Sequence, residues 1–335
     1  MDTTLLIGNG LNLTLSDESW SELLKGIAAR KHINPQKELP LPFEFERIMN
    51  LYLGDKQNIK DKNRVYSETK KEMLRELQSK IYLDDDAIHK KLTELPIQNI
   101  ITTNYDFLLE YAFEPGISPK IDSQTTFIDK PVECINGVTF YHAHGHARAV
   151  KSICLGYEHY IKLVTHIRST LDKKSTHDKC VLVENLKNNT VPNEWYYRFF
   201  SDNIYIIGLG LSESEIDLWS LLTRRASLYY RDCDGAHSAI QNRIVYYDII
   251  DNLDASMSIS KAESKYSMLE AVRVEVHKRY LKEFSNNDFD NLAKEPEDEQ
   301  QKAQKRALYK KAYESIFEEI KKEAVLVKRN YLDTH

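Results

Sequence analysis

Three kinds of polar stretch carry the side chains in this chain that could do chemistry. In Ile100-Ile101-Thr102-Thr103-Asn104-Tyr105-Asp106 a strand pattern stops at Asn104 and Asp106, before Phe107, Leu108 and Tyr111 take up helical spacing. From Thr139 a second strand pattern runs into His142, His144 and His146. Two glycine turns follow apolar runs, Gly8-Asn9-Gly10 after Thr3–Ile7 and Gly208-Leu209-Gly210-Leu211-Ser212 after Asn203–Ile207. An amide and a carboxylate at a strand end can orient a polar ligand, and an imidazole can move a proton near neutral pH. A glycine lets backbone approach a phosphate or ribose more closely than a Cβ permits.

Each stretch has a plainer reading beside it. Asn104 and Asp106 are also ordinary helix caps. Gly8-Asn9-Gly10 lacks the third glycine of a full dinucleotide fingerprint, so it reads equally as a nucleotide loop or a simple turn. Strand alternation would point His142, His144 and His146 to one side, yet three such positions span about 13 Å, too far for one metal ion. A metal site would need two of them and a partner elsewhere; a base or hydrogen-bonding histidine, or a structural cluster, are the other readings. Glu44 and Glu46 read as solvated helix carboxylates. The conjunction carries the argument: polar strand ends and glycine turns together, on the carboxyl edge of one parallel sheet, describe a nucleotide cleft.

The elements that must position these residues alternate in type. Ser19 and Glu22 form a capping box ahead of the stripe Trp20, Leu23, Leu24, Ile27 and Ala28. Further helical faces are Phe45, Ile48, Met49 and Tyr52, then Met73, Leu74, Leu77 and Ile81, then Ile88, Leu92 and Leu95 before Pro96. A crossover between parallel strands needs only about a dozen residues of helix, so residues 16–96 are a helical insertion. A loop with Pro115 and Pro119 and a hairpin near Val132 to Tyr141 come next. A second insertion, 156–200, carries Tyr160, Ile161, Val164, Ile167 and Leu171 at helical spacing. Ser212 and Glu215 form another capping box, with Trp219, Leu222, Ala226 and Tyr229 on one helix face. Strands are expected at Arg243 to Ile249 and Val272 to His277. The fold class is therefore α/β, a Rossmann-like, doubly wound and mainly parallel sheet of about six strands with large helical insertions. Residues 1–284 make that domain. Residues 285–335 make a helical C-terminal extension: a polar connection from Asn286 to Gln304, then Leu308, Ala312, Ile316 and Ile320 stepping by four beside Tyr309, Tyr313 and Phe317. Such a helix must pack on something, and a subunit contact is the favoured expectation.

Composition narrows the class. With 335 residues, 41% hydrophobic and 29% charged, the chain reads as a globular protein. A net charge of -5 gives no support for a nucleic-acid-binding body. No apolar run of about 18 residues occurs and no leader pattern opens the sequence, so a cytoplasmic location is expected. Cys134, Cys154, Cys180 and Cys233 form no Cys-x-x-Cys pair.

In order and spacing, Gly8-Asn9-Gly10, Thr102-Thr103-Asn104-Tyr105-Asp106, His144-Gly145 and Gly208-Leu209-Gly210-Leu211-Ser212 resemble the sirtuin (silent information regulator) superfamily, over roughly residues 1 to 250. The chain looks more closely like the sirtuin-like domains of prokaryotic antiphage defence systems. It departs from deacylase sirtuins in lacking their four zinc cysteines, which the defence members also lack. The resemblance implies an NAD glycohydrolase that releases nicotinamide and ADP-ribose, a toxic effector of abortive infection, with NAD as substrate and no metal. Asn104 would hold the nicotinamide ribose and orient a water, with Thr103 nearby and Asp106 fixing the nicotinamide end. His144 would be the general base or hydroxyl partner. Gly8, Asn9 and Gly10 would cradle the diphosphate, aided by the dipole of a first helix beginning near Ser16, and Gly208 with Ser212 would meet the adenosine ribose. Implied partners are a second copy of the chain and a second defence protein such as a HerA-type ATPase or an Argonaute. Alternatives are a sensor that binds NAD or ADP-ribose without turnover, a metal-dependent hydrolase or nuclease using His142 and His144, and a sirtuin-type transferase. The abortive-infection AbiH type also opens with a glycine-asparagine-glycine strand end.

Overall fold

Thr3–Ile7 form β1, whose five residues are all buried, as expected of a central strand with helices over both faces. The computed structural model describes residues 1–335 apart from 17–18, 37, 55–58, 81, 119–124, 252–258, 286–298 and 335, with backbone alone for 59, 61, 63, 76–80, 259–261 and 326–334. After β1 come a 3-10 turn at Asn12–Thr14, then α1 (Trp20–Arg30), α2 (Leu41–Gly54), α3 (Ile59–Lys80) and a second 3-10 segment at Ile88–Glu94. Next are β2 (Asn99–Thr102), α4 (Leu108–Phe113), β3 (Glu133–Ile135) and β4 (Val138–His142), and then α5 (Tyr157–Leu171), α6 (Val181–Lys187) and α7 (Arg198–Ser201). The chain continues through β5 (Asn203–Ile207), α8 (Ile216–Arg231), α9 (Ala236–Ala239), β6 (Ile244–Ile250), α10 (Ile259–Ala271) and β7 (Glu275–Tyr280) to α11 (Glu299–Thr334).

Among the described residues the seven strands form one sheet in the order β3-β4-β2-β1-β5-β6-β7. Only β3 runs antiparallel, as the hairpin partner of β4. Ile7 pairs with Thr102 on one side and Ile207 on the other, and Thr102 pairs with His142. The carboxyl ends of β4, β2, β1 and β5 therefore finish in one row. From β1 the chain steps one way to β2 and the other way to β5, so the row includes the switch point where ligands enter doubly wound sheets.

Strand alternation splits the core. Leu6, Ile101, Tyr141, Ile206 and Tyr246 face α5, α7, α8 and α10, whereas Leu5, Ile7, Ile100, Phe140, Tyr205 and Val245 face α11 and the Ile88–Glu94 segment. The first insertion builds a core of its own from Leu23, Leu24, Ile27, Phe45, Ile48, Met49 and Met73, which closes against Tyr105 and Leu108 at the end of β2.

Several local expectations are corrected. The first helix begins at Trp20, not near Ser16; the Ser19 hydroxyl accepts the Glu22 N–H at 3.3 Å and caps it. Ile88–Glu94 winds as a 3-10 helix. Glu44 is 3% exposed and takes Arg47 in a salt bridge at 2.7 Å, while Glu46 accepts the Tyr66 hydroxyl at 2.9 Å, so both carboxylates brace the insertion. The last strand starts at Glu275, because Val272 and Val274 are buried in the turn that leaves α10, where Arg273 has φ of 63°. The apolar stripe of α11 packs on its own chain: Ala312, Ile316 and Ile320 are fully buried, the last two against the sheet. Pro119, Ile81 and the segment from Glu295 to Asp298 lie outside the described residues.

Candidate functional site

A cavity of about 330 Å³ opens over the carboxyl ends of β1, β2, β5 and β6, and Asn9, Gly10, Thr103, Asn104, Asp106, His144 and Gly208 all line it. Ser19, Trp20 and Leu23 line it too, so the N-terminus of α1 does face the cleft. Trp20 stands edge-on to Tyr105, ring centres 5.3 Å apart.

The turn after β2 is fixed by its own polar groups. The Thr102 hydroxyl donates to the Ile7 carbonyl at 2.9 Å and accepts the Asn104 N–H at 3.0 Å. Asn104 is 6% exposed, and its amide nitrogen donates to the Gly8 carbonyl at 3.3 Å. Its side-chain oxygen has no hydrogen-bond partner among the described residues, leaving an acceptor beside the cavity. Asp106 accepts the Asn12 amide at 2.8 Å and the Leu108 N–H at 3.0 Å, so both its oxygens tie the turn to neighbouring elements. Burial raises the Asp106 pKa, opposed by these donors and by His142.

The three histidines do not share a strand face. β4 ends at His142, and Gly145, at φ of +85°, turns the chain before His146. His142 is fully buried, Nε2 at 2.8 Å from Glu110 and Nδ1 at 2.9 Å from the Asn104 carbonyl. Two acceptors favour the imidazolium: burial works against the charge, but Glu110 and the carbonyl outweigh it and the pKa rises. His146 goes the other way. Burial, then the His142 and Arg148 charges, push its pKa down to about 3. It is neutral, accepting the Arg148 N–H at 3.1 Å. Among the described residues no three His, Cys, Asp or Glu side chains converge to hold a metal ion.

His144 points into a different environment. Nε2 lies 2.9 Å from Asp217, in the first turn of α8, and Nδ1 is 3.5 Å from the Tyr160 hydroxyl of α5. Burial alone would lower its pKa, but Asp217 and then Glu215 reverse the shift and raise it. Glu215 lines the cavity, and burial pushes its pKa up to about 7, with His144 and the Ser212 N–H acting against that rise.

Asp217, Glu215, Tyr160, Asp248, Tyr309 and Tyr313 escaped the sequence reading as site residues. The Ser212–Glu215 spacing was visible, but only as a helix cap; in the structure the Ser212 N–H does donate to Glu215 at 2.6 Å, and α8 starts one residue later. Ser212 itself is exposed and lies outside the cavity, on an adjoining depression reached across Gly210.

The glycine turns serve each other as much as any ligand. The Gly8 N–H donates to the Ile207 carbonyl at 3.1 Å and the Gly10 N–H to the Gly208 carbonyl at 2.7 Å. A Cβ on Gly8 would meet the Gly208 oxygen at 2.5 Å, and one on Gly10 would meet the Gly208 Cα at 2.6 Å. Close approach of the β1 and β5 turns is thus one reason for these glycines, and their own amides are already engaged.

No curated protein matches the chain at a significant level. Residues 98–219 match the family model of the SIR2-like domain. That span runs from the start of β2 into α8 and contains Asn104, Asp106, His144, Gly208, Glu215 and Asp217, while Gly8 to Gly10 precede it. The match supports a sirtuin-like domain, of a kind generally NAD-dependent, and the strand-end cleft lies within and beside the matched segment.

Proposed function

We propose that this protein is an NAD glycohydrolase, which cleaves NAD to nicotinamide and ADP-ribose. The observation that carries the reading is the meeting of Asn104 and His144 on one cavity, with Asp217 behind the imidazole. In the reaction the bond from the ribose anomeric carbon to the ring nitrogen breaks. Its electron pair stays on nicotinamide, which leaves neutral, so no strong acid is needed. A water oxygen bonds to the anomeric carbon and gives up one proton.

Asn104 fits the task because its free carboxamide oxygen can hold a ribose hydroxyl or the attacking water near the developing positive charge. Asp217 holds Nε2–H of His144, leaving Nδ1, on the Tyr160 side, as the basic nitrogen that takes the proton. Thr103 and Asp106 would shape the nicotinamide end, with Gly8, Asn9 and Gly10 beside the diphosphate and Gly208 near the adenosine ribose. Ser212 would meet that ribose only if the nucleotide extends across Gly210.

The proposal extends to biology: a toxic effector of an antiphage abortive-infection system, acting in the cytoplasm. Its support is the resemblance of the four motifs to defence domains and a sequence without the zinc cysteines of deacylases; the four cysteines are separate and unpaired. No helix among the described residues is long and apolar enough to cross a membrane. A second copy of the chain and a HerA-type ATPase or an Argonaute are the proposed partners.

The test is nicotinamide release from NAD by the purified chain, with Asn104→Ala and His144→Ala beside it, with and without extract of phage-infected cells. Release that vanishes in both variants is expected. Release unchanged in either variant would overturn the assignment, and binding of NAD without release under any condition would favour the sensor.

A further inference from the structure

The C-terminal helix contributes to the cleft a side chain that the packing of α11 does not account for. Tyr313 is 3% exposed, and its ring is held among the buried residues beneath the sheet. Its hydroxyl sits between the two glycine turns, 2.5 Å from where a Cβ of Gly10 would be and 3.2 Å from that of Gly208. No group among the described residues hydrogen-bonds this hydroxyl. A buried phenol ordinarily finds a partner, and Tyr313 borders the cavity. The Gly8 and Gly10 amides do not serve an incoming anion, since their N–H groups already donate to the Ile207 and Gly208 carbonyls. Burial, then Tyr309 and Asp248, push the phenol pKa up, so the hydroxyl keeps its proton and remains a donor.

We propose that Tyr313 is a positioning residue that donates its hydroxyl hydrogen to the phosphate oxygens of a nucleoside diphosphate ligand lying in the cavity over the Gly8–Gly10 and Gly208 turns. The inference rests on the nucleotide reading of the cleft and adds to it a donor from outside the matched segment. It makes α11 part of the binding site. The helix also brings Tyr309 to the cavity wall one turn away.

The experiment is calorimetric titration of the full chain and its Tyr313→Phe variant with ADP-ribose and with adenosine, alongside thermal melts. Phenylalanine keeps the ring packing and removes only the donor. Loss of a hydrogen bond to a charged group weakens binding about tenfold or more. The expected result is that drop for ADP-ribose, an unchanged affinity for adenosine, and an unchanged melting temperature. Equal or tighter ADP-ribose binding by the variant overturns the proposal while leaving the nucleotide cleft standing; tighter binding would make Tyr313 a plug. Weakened adenosine binding to the same degree also overturns it, because the effect would not lie at the phosphates. A wild-type chain that binds neither compound overturns the cleft reading and this inference together.

Discussion

Asp217 and His144 stand 2.9 Å apart with side chains 0% and 3% exposed. The pair joins the first turn of α8 to the loop after β4, so the imidazole is aimed by a helix that packs against another part of the sheet. Since the His144 pKa is raised, its neutral, proton-accepting form appears only above the ordinary histidine value of about 6.5. Nicotinamide release should therefore climb as pH rises through the raised His144 pKa. Asp217→Asn removes the charge that raises the His144 pKa, and the acid limb should move to lower pH. A pH–rate profile of the two proteins checks this, and an unmoved limb would remove His144 from the role of base.

His142 predicts a stability trend with a definite sign. Its folded pKa lies above the unfolded value, because Glu110 and the Asn104 carbonyl outweigh burial. Its contribution is complete below about pH 6.5 and is lost as pH rises through the folded pKa. Melting temperature should fall as pH rises through that raised pKa. Glu110→Gln should cost about 3–5 kcal/mol at pH 6, since it leaves a buried charge unpaired, and should flatten that slope.

Gly10→Ala should behave as a folding lesion before it behaves as a binding lesion. The new Cβ would press on the Gly208 Cα at 2.6 Å, and overpacking of this kind costs about 1–3 kcal/mol. Differential scanning calorimetry should show the loss in the absence of any nucleotide. A variant as stable as wild type would mean that the two turns are free to move apart.

Ile316 is fully buried against the sheet, and truncating such a side chain costs about 2–5 kcal/mol. Ile316→Ala should lower the unfolding free energy by that amount, and the denaturant midpoint with it, at every protein concentration. A midpoint that shifts with concentration would place the helix against a second subunit.

What was legible in the sequence is what local chemistry decides. The largely apolar β1 and β5, the Ser19 cap and the strand end at Thr102 are written in short-range patterns, as is the strand leading to His142, and they put Asn104 and His144 on one edge. What a single stretch cannot display is pairing at long range. The approach of Asp217 to His144 spans 73 positions and depends on β1 lying between β2 and β5. The histidine alternation misled because Gly145 breaks the strand. Glu44 reads as a solvated carboxylate in sequence because nothing beside it reveals the fold of the loop whose Gln36 N–H it accepts at 2.9 Å. Tyr313 was read only as part of a helical stripe, since a stripe shows which residues are buried but not what they are buried against.

Every strand of the sheet precedes α11 in the chain, and translation proceeds at roughly 5–20 residues per second from the N-terminus. A nascent chain can thus assemble its strands and both glycine turns while the wall carrying Tyr309 and Tyr313 has yet to be made. The cleft is therefore finished only after its strands, once residues 299–313 have been made and α11 has packed against the sheet.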